Sequence, residues 1–399
     1  MLAEAGVVPD AGAEKVVDVT AQSGRSAVRQ RRKSSEAVSI VDMREAKKRS
    51  SDLGEVLSRV AGVSIRRFGG LGSEFRFSLN GLYDSQVRFF VDGVPIDRVY
   101  AAGLANTPVN LVQNVEIYRG VVPLRLGADA LGGAVNLVSS AQYETGMNVS
   151  YQVGSFNTHR LTLSGRYRHA PSDIVVGADT FFDYADNDYR VEADLSDDLG
   201  RTRRAEVPRF HDGYWAYGAA VEAGVLDKAW ARRLLVRAFT SEYGKQIQNN
   251  VRMVIPYGEA HSGETVRGGV ITYRNTFADR YDLDLVSSYM HRAIDFVDKG
   301  EWRYDWRGQR VQRLPRLAGE IRPRRSDQTI WQHGAFTRVV FDARIAERHT
   351  LTATVSPDFV TRSGEQRLLP DPRARDALTA DRRALKVVSG LAYTLHAAL

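Results

Sequence analysis

The chain has 399 residues, enough for two or three domains, and no run approaches the roughly 18 consecutive apolar residues that a membrane-crossing helix needs. Its 55 basic and 48 acidic residues are interspersed, so the net charge of +7 does not describe a nucleic-acid surface, and the absence of cysteine excludes disulfides, thiolate catalysis and thiolate metal sites. The hydropathy test is blind to membrane barrels, whose strands alternate lipid-facing and lumen-facing side chains.

The first residues, MLAEAGVVPDAGAEK, lack a basic stretch followed by an apolar one, so no secretory signal is expected there. Residues 1–40 are polar and read as a mobile tail with one β-type run, EKVVDVTA, from Glu14 to Ala21. Such a peptide can add to the edge of a partner's sheet through main-chain hydrogen bonds. The densest basic run, Arg25 to Arg49, reads as solvated linker.

Residues 41–141 read as a compact mixed domain. Asp52 with Glu55 fits a capping box, Leu53, Val56, Leu57 and Val60 share one helical face, and Gly62 stops the helix. In FRFSLNGLYDSQVRFFVDGVPID, the Asp92-Gly93 pair between apolar runs predicts a type I′ hairpin, and NVEIYRGVVPL predicts another strand. The glycines of VEIYRGVVPLRLGADALGGAVNLVSS do not form a phosphate loop: there is no GxxxxGK[ST] and no GxGxxG opening a helix. Gly132-Gly133 instead precedes a strand, and these glycines predict a turn and a close approach between backbones.

From residue 142 to 399 the texture changes to long segments of period two. RLTLSGRYR, RHTLTATVS and RYDLDLVSSY each alternate apolar with polar residues. About ten strands are expected, near 145–155, 158–169, 173–184, 213–224, 230–243, 265–277, 280–295, 329–342, 347–359 and 384–397. Short connections (APS, LDKA, the region of Ala278, ARIA) take turns with long polar ones at 185–212, 244–264, 296–328 and 360–383. Short turns at one end and long loops at the other point to an outer-membrane barrel rather than a soluble sandwich. Tyr184, Tyr214, Trp215, Trp230, Tyr243, Tyr289, Trp331 and Tyr393 near strand ends fit interfacial girdles.

No catalytic constellation is legible. The eight histidines form no HxxxH or HxH pair, no GxSxG is present, and the carboxylates have no apolar context suited to acid-base work, so no enzyme activity, metal site or cofactor is expected.

In the order DLGEVLSRVAGVSI, FRFSLNGL, FFVDGVPI, NLVQNVEIYRG and LGADALGGAVNLVS, residues 37–140 resemble the plug domain of TonB-dependent outer-membrane receptors. Two departures are Asn80-Gly81 where many members have Arg-Gly, and Val121-Val122-Pro123 where proline would follow the second Arg-Gly directly. The resemblance implies a mainly β chain: a small α/β plug followed by an incomplete antiparallel transmembrane β-barrel, about ten strands of an expected 22. With 258 residues after position 141, an N-terminal portion of a receptor is expected.

The resemblance further implies a bacterial outer-membrane protein for energised uptake of a scarce nutrient complex, a ferric siderophore by default. Its partners would be TonB with its inner-membrane energising complex, outer-membrane lipid and the ligand. A non-transporting surface receptor or adhesin, or a truncated non-functional fragment, is the alternative. Glu14, Lys15, Val16, Val17, Asp18, Val19, Thr20 and Ala21 look like a TonB box. The plug's apical loops match Phe68 to Glu74 and Asp97 to Asn106, so Arg67, Phe68, Arg98 and Tyr100 are the expected ligand contacts. Glu116 and Arg119 fall on the plug strand expected to lock against the barrel wall, or else pair within the plug.

Overall fold

The computed structural model describes residues 38–43, 53–83, 86–98, 107, 111–120, 122–126, 132–139, 143–196, 201–346, 348–368 and 377–396. The TonB-box-like segment, Asp52 of the expected capping box and Tyr100 lie outside these residues, as does the side chain of Arg98.

The N-terminal domain is built on a five-stranded sheet. Strand β1 (Val38–Asp42) pairs antiparallel with β7 (Asn114–Arg119), which pairs antiparallel with β8 (Gly133–Val138). β8 lies parallel to β5 (Val87–Val91), and β5 turns back into β6 (Val94–Pro95). The turn is Asp92-Gly93, with φ of 50° and 79°, as a type I′ hairpin requires. A second small sheet joins β2 (Val63–Arg67), β3 (Phe75–Leu79) and β4 (Leu82–Tyr83).

Helix α1 (Leu53–Ser58) lays Leu53, Val56 and Leu57 onto a core of Phe77, Leu79, Val115, Ile117, Val135 and Leu137. Gly133 is where two backbones nearly touch: its φ is +126°, and a Cβ there would lie 2.1 Å from the Tyr118 carbonyl oxygen. Only glycine fits this position.

The remainder forms one antiparallel sheet of ten long strands: β9 (Gly146–Gly154), β10 (Thr158–His169), β11 (Ile174–Ala185), β14 (Tyr214–Lys228), β15 (Ala231–Gln246), β16 (His261–Phe277), β17 (Tyr281–Asp298), β20 (Ser326–Ala346), β21 (His349–Gln366) and β22 (Arg382–Leu395). They coincide with the ten period-two segments of the sequence. Among the described residues β9 pairs only with β10 and β22 only with β21, so the sheet is an open, incomplete barrel.

Two of the long polar connections contain hairpins, β12 (Arg190–Ser196) with β13 (Thr202–Pro208) and β18 (Trp302–Tyr304) with β19 (Arg310–Arg313). Their signal is weak because charged residues interrupt the apolar ones in RVEADLS, TRRAEVP and RVQR. Ala193 and Val207 supply the apolar contact that holds the first hairpin, and Trp306 packs onto it.

The polarity of the large sheet is inverted relative to a soluble protein. On β10 and β11, Leu161, Tyr167, Ile174, Val176 and Phe182 are exposed, whereas Asp179 and Asp183 are buried, the latter at 0% exposure. The charged face turns inward toward the plug, and the apolar face turns outward. Period two also corrects the aromatic girdle. Trp215 points outward while its neighbour Tyr214 is buried facing the lumen, and Tyr243 packs inward beside it. Adjacent residues of one strand cannot serve the same face.

Candidate functional site

The functional region is the seam between plug and wall, and the wall's own charges come first. Arg160 pairs with Asp183 at 2.9 Å, Arg166 and Arg237 share Asp179 at 2.8 and 3.0 Å, and Arg292 pairs with Glu264 at 2.7 Å. All but one join neighbouring strands on the lumen face, where period two puts polar side chains opposite one another; Arg237 of β15 reaches Asp179 of β11 across β14. Charges removed from water need such partners, because an orphaned one costs several kcal/mol, about 3–5 when a buried pair is broken.

A chain of polar contacts then joins plug to wall. The carboxylate of Glu116, buried in the plug sheet, accepts hydrogen bonds from Tyr118 Oη (2.9 Å) and Asn136 Nδ2 (3.0 Å). Asn136 Oδ1 accepts from the Gly93 amide at 3.0 Å, and the Gly93 carbonyl accepts from Arg338 Nη1 of β20, also at 3.0 Å. Arg338 in turn lies 3.7 Å from Asp284 of β17. The hairpin made by Asp92-Gly93 is therefore one part of the plug that the wall grips. Gly93 has no room for a side chain there, since a Cβ would lie 2.2 Å from Arg338 Nη1.

Of the two residues expected to lock plug to wall, Glu116 borders the seam and stands three hydrogen bonds from Arg338, through Asn136 and Gly93. The guanidinium of Arg119 instead donates to the Ala61 carbonyl at 2.8 Å, inside the plug. Arg338 escaped the sequence reading. Its signal was an arginine at a lumen-facing position between Thr337 and Val339 of an alternating strand.

Around this grip lies a cavity of about 560 Å³, open between the plug (Glu116, Arg125, Ser139) and the wall (Glu222, Arg274, Arg338) at the end of the short turns. Tyr143 closes its floor: its hydroxyl donates to Glu222 at 2.5 Å, and Arg233 sits 5.9 Å over its ring. Nearby, the plug turn Leu124–Leu126 presses on β22, where a Cβ at Gly390 would lie 2.4 Å from Leu124 Cδ2.

At the long-loop end the apical loop Phe68–Glu74 is closed by the Phe68 amide donating to the Glu74 carbonyl at 3.1 Å. The Leu71 amide donates to Asn187 Oδ1 (3.1 Å), and Asn187 Nδ2 donates back to the Leu71 carbonyl (2.9 Å). Gly72, with φ of +78°, abuts the Tyr214 ring. Arg67 is exposed beneath this loop, and Phe68 carries the guanidinium of Arg66 at 5.2 Å. The turn Ile96–Arg98 packs against β17, away from Arg67's strand.

The outer loops tie to one another. Gln248 Oε1 accepts the amides of Phe210 (2.7 Å) and His211 (2.6 Å), His211 Nε2 donates to the Ala260 carbonyl (2.8 Å), and Glu320 accepts the amides of Gly258, Glu259 and Ala260. Burial lowers the His211 pKa, with His261 acting in the same direction, against opposing contributions from the Ala260 carbonyl, Asp212 and Glu259. Burial raises that of Glu320, against its three amide bonds.

With this geometry in view, known proteins bear on the chain. Residues 30–134 match the family described as the TonB-dependent Receptor Plug Domain. The N-terminal domain thus carries a plug of that family, and the fold of the chain is like that of solved TonB-dependent receptors. A ferric enterobactin receptor (PfeA) variant from Pseudomonas aeruginosa superposes with a TM-score of 0.59 at 15% identity, over 91% of this chain and 55% of that one. The ferric citrate transporter FecA in its unliganded form gives 0.53 at 14%, over 91% and 61%, and the siderophore receptor PiuA from Acinetobacter baumannii gives 0.53 at 12%, over 90% and 61%. This chain thus spans 55–61% of the length of these solved structures, and at such identities the likeness is one of fold.

Two outcomes follow. Replacing Arg338 by Met removes the donor to Gly93, and hydrogen exchange of the Gly93 and Val94 amides should accelerate about tenfold, the equivalent of one hydrogen bond of ~1.4 kcal/mol; unchanged exchange would mean that the plug is gripped elsewhere. For His211 the sign is fixed by its lowered pKa. The neutral form is favoured in the folded loops, so stability is complete above the unfolded value near 6.5 and is lost as pH falls below it. Loop proteolysis should rise between pH 7.5 and 5.5, and His211→Gln should flatten that rise; an equal rise in the variant would assign it to other groups.

Proposed function

We propose that this receptor takes up a scarce nutrient complex across the bacterial outer membrane, driven by TonB, with a ferric siderophore as the leading ligand class. The observation that carries the reading is a plug with its own apolar core, held to the wall by the Gly93–Arg338 contact and by small apolar patches such as Val94 of the plug with Phe239, Val266 and Met290 of the wall. A plug of this kind can shift as a unit, since its main core lies within it and only small apolar patches are shared with the wall. The 560 Å³ polar cavity at the short-turn end lies where a moving plug would first open a path.

The long loops would face the exterior and the short turns the periplasm. Arg67, Phe68, Arg98 and Tyr100 are proposed for ligand contact, with Arg67 suited to an anionic ligand. Glu14 to Ala21 would be captured by TonB through strand addition. Glu116 would act in the plug-to-wall lock through Asn136 and Gly93, and Arg119 would steady the turn after α1. No step requires chemistry on the ligand. The names of the solved relatives, which include receptors for ferric enterobactin and a transporter for ferric citrate, favour iron complexes as the first ligands to try.

Deleting Glu14 to Ala21 in the receptor of the source bacterium tests the reading. Uptake of radio-iron from a panel of ferric siderophores should fall to the level of a receptor knockout, while binding of the same complexes to isolated outer membranes stays intact. Uptake at the undeleted level would favour a non-transporting surface receptor.

A further inference from the structure

The outer face of the large sheet carries one row of side chains that neither the plug nor transport uses. Register places Arg267 of β16 opposite His291 of β17, His291 opposite His333 of β20, His333 opposite Thr361 of β21, and Thr361 opposite Arg383 of β22. Cross-strand partners share a face, so these five side chains form a lateral row across neighbouring strands spaced about 4.8 Å apart. It is the outward face, because Tyr289, Phe359 and Leu385, two residues toward the short turns on their strands, are all exposed.

The row marks a boundary. From it toward the short turns the same face is mostly apolar, with Ile271, Tyr281, Phe341, Val355 and Leu391 exposed. Toward the long loops the next outward residues are Thr265, Ala293, Trp331 and Ser363, so a tryptophan of the interfacial type sits just above. A belt of hydrocarbon-facing residues thus ends, on its long-loop side, in a strip rich in cationic and imidazole groups.

These groups are uncommitted. Arg267 and Arg383 make no ion pair or hydrogen bond among the described residues, and neither does His291 make a hydrogen bond. The His291 and His333 rings lie 4.8 Å apart, and Tyr289 Oη holds His333 Nδ1 at 2.8 Å, which leaves His333 Nε2 free. Two imidazoles side by side also suggest a divalent metal, but the guanidinium of Arg267 directly opposite His291 disfavours a cation. It favours an anion with several acceptor oxygens. One carboxylate, Glu242, stands a row higher on β15, where the Tyr217 hydroxyl engages it at 2.7 Å.

The geometry points to a docking strip for the phosphorylated headgroup of an outer-leaflet glycolipid, formed by Arg267, His291, His333 and Arg383. This rests on the membrane reading of the apolar face and is independent of ligand transport. The strip would hold lipid phosphate at the height where the belt ends, with the acyl chains lying down over Tyr289, Phe359 and Leu385.

The test uses the full receptor extracted from outer membranes in mild detergent, delipidated, and titrated by native mass spectrometry with bisphosphorylated lipid A and with the same lipid enzymatically dephosphorylated. The double variant Arg267→Ser, Arg383→Ser should bind the bisphosphorylated lipid at least about tenfold more weakly and the dephosphorylated lipid unchanged. Glu242→Gln should bind the bisphosphorylated lipid more tightly, a gain that a folding defect cannot mimic. Equal binding by the wild type and the double variant would overturn the proposal. So would competition by millimolar inorganic phosphate as effective as that of the lipid, which would assign the strip to free phosphate. Micromolar copper(II) binding abolished by His333→Ala, with lipid binding intact, would overturn it in favour of a metal site. Siderophore uptake should be unaffected by the double variant; loss of uptake alone would bear on the transport reading and not on this one.

Discussion

The structure depends on keeping charge inside and hydrocarbon outside. A sheet with Asp179, Asp183, Glu264 and Arg338 on its concave face can persist only if each charge finds a partner, and most find one on the next strand. Because the wall neutralises itself, the plug need not supply a complementary charge at every point. It can be a separate domain with a core of its own, in which Phe77 and Phe89 meet edge to face at 5.0 Å and Val135 and Leu137 sit beneath α1.

What remains between the two bodies is sparse and specific. The apical loop is held through Leu71 and Asn187, the β5–β6 hairpin through Gly93 and Arg338, and the Leu124 turn through its contact with Gly390. Two of these contacts use plug glycines, Gly72 and Gly93, whose missing side chains let the wall approach the backbone and whose positive φ makes the tight turns. A partly open seam of polar contacts and small apolar patches, Val94 against Phe239 and Met290 among them, transmits force at a few points, whereas a continuous apolar interface would have to be broken all at once.

Much of this was legible in the sequence because period two is a robust signal over strands of nine to twenty-one residues, from β9 to β20. The Asp92-Gly93 turn and the close approach at Gly132-Gly133 were legible for a similar reason: few conformations satisfy those residues. The girdle residues Tyr214 and Tyr243 were assigned the wrong side because proximity to a strand end was weighed without parity. The hairpins β12–β13 and β18–β19 were hidden because charged loop strands owe their pairing to a tertiary contact, such as that of Trp306 with Val207, which no local pattern encodes. Arg338 was missed because an arginine on an alternating strand reads as a solvated face until the plug is seen to fill the space beside it.

The proposed uptake requires the plug to move against the wall. The chain has no cysteine, so a single engineered bridge can be introduced without competition. Leu124 and Gly390 suit it, since Leu124 Cγ lies 3.4 Å from where a Cβ at Gly390 would be, within the geometry of a disulfide. With Leu124→Cys and Gly390→Cys, oxidation should abolish iron uptake while leaving ligand binding intact, and a reductant should restore uptake. Full uptake with the bridge closed would contradict a moving plug.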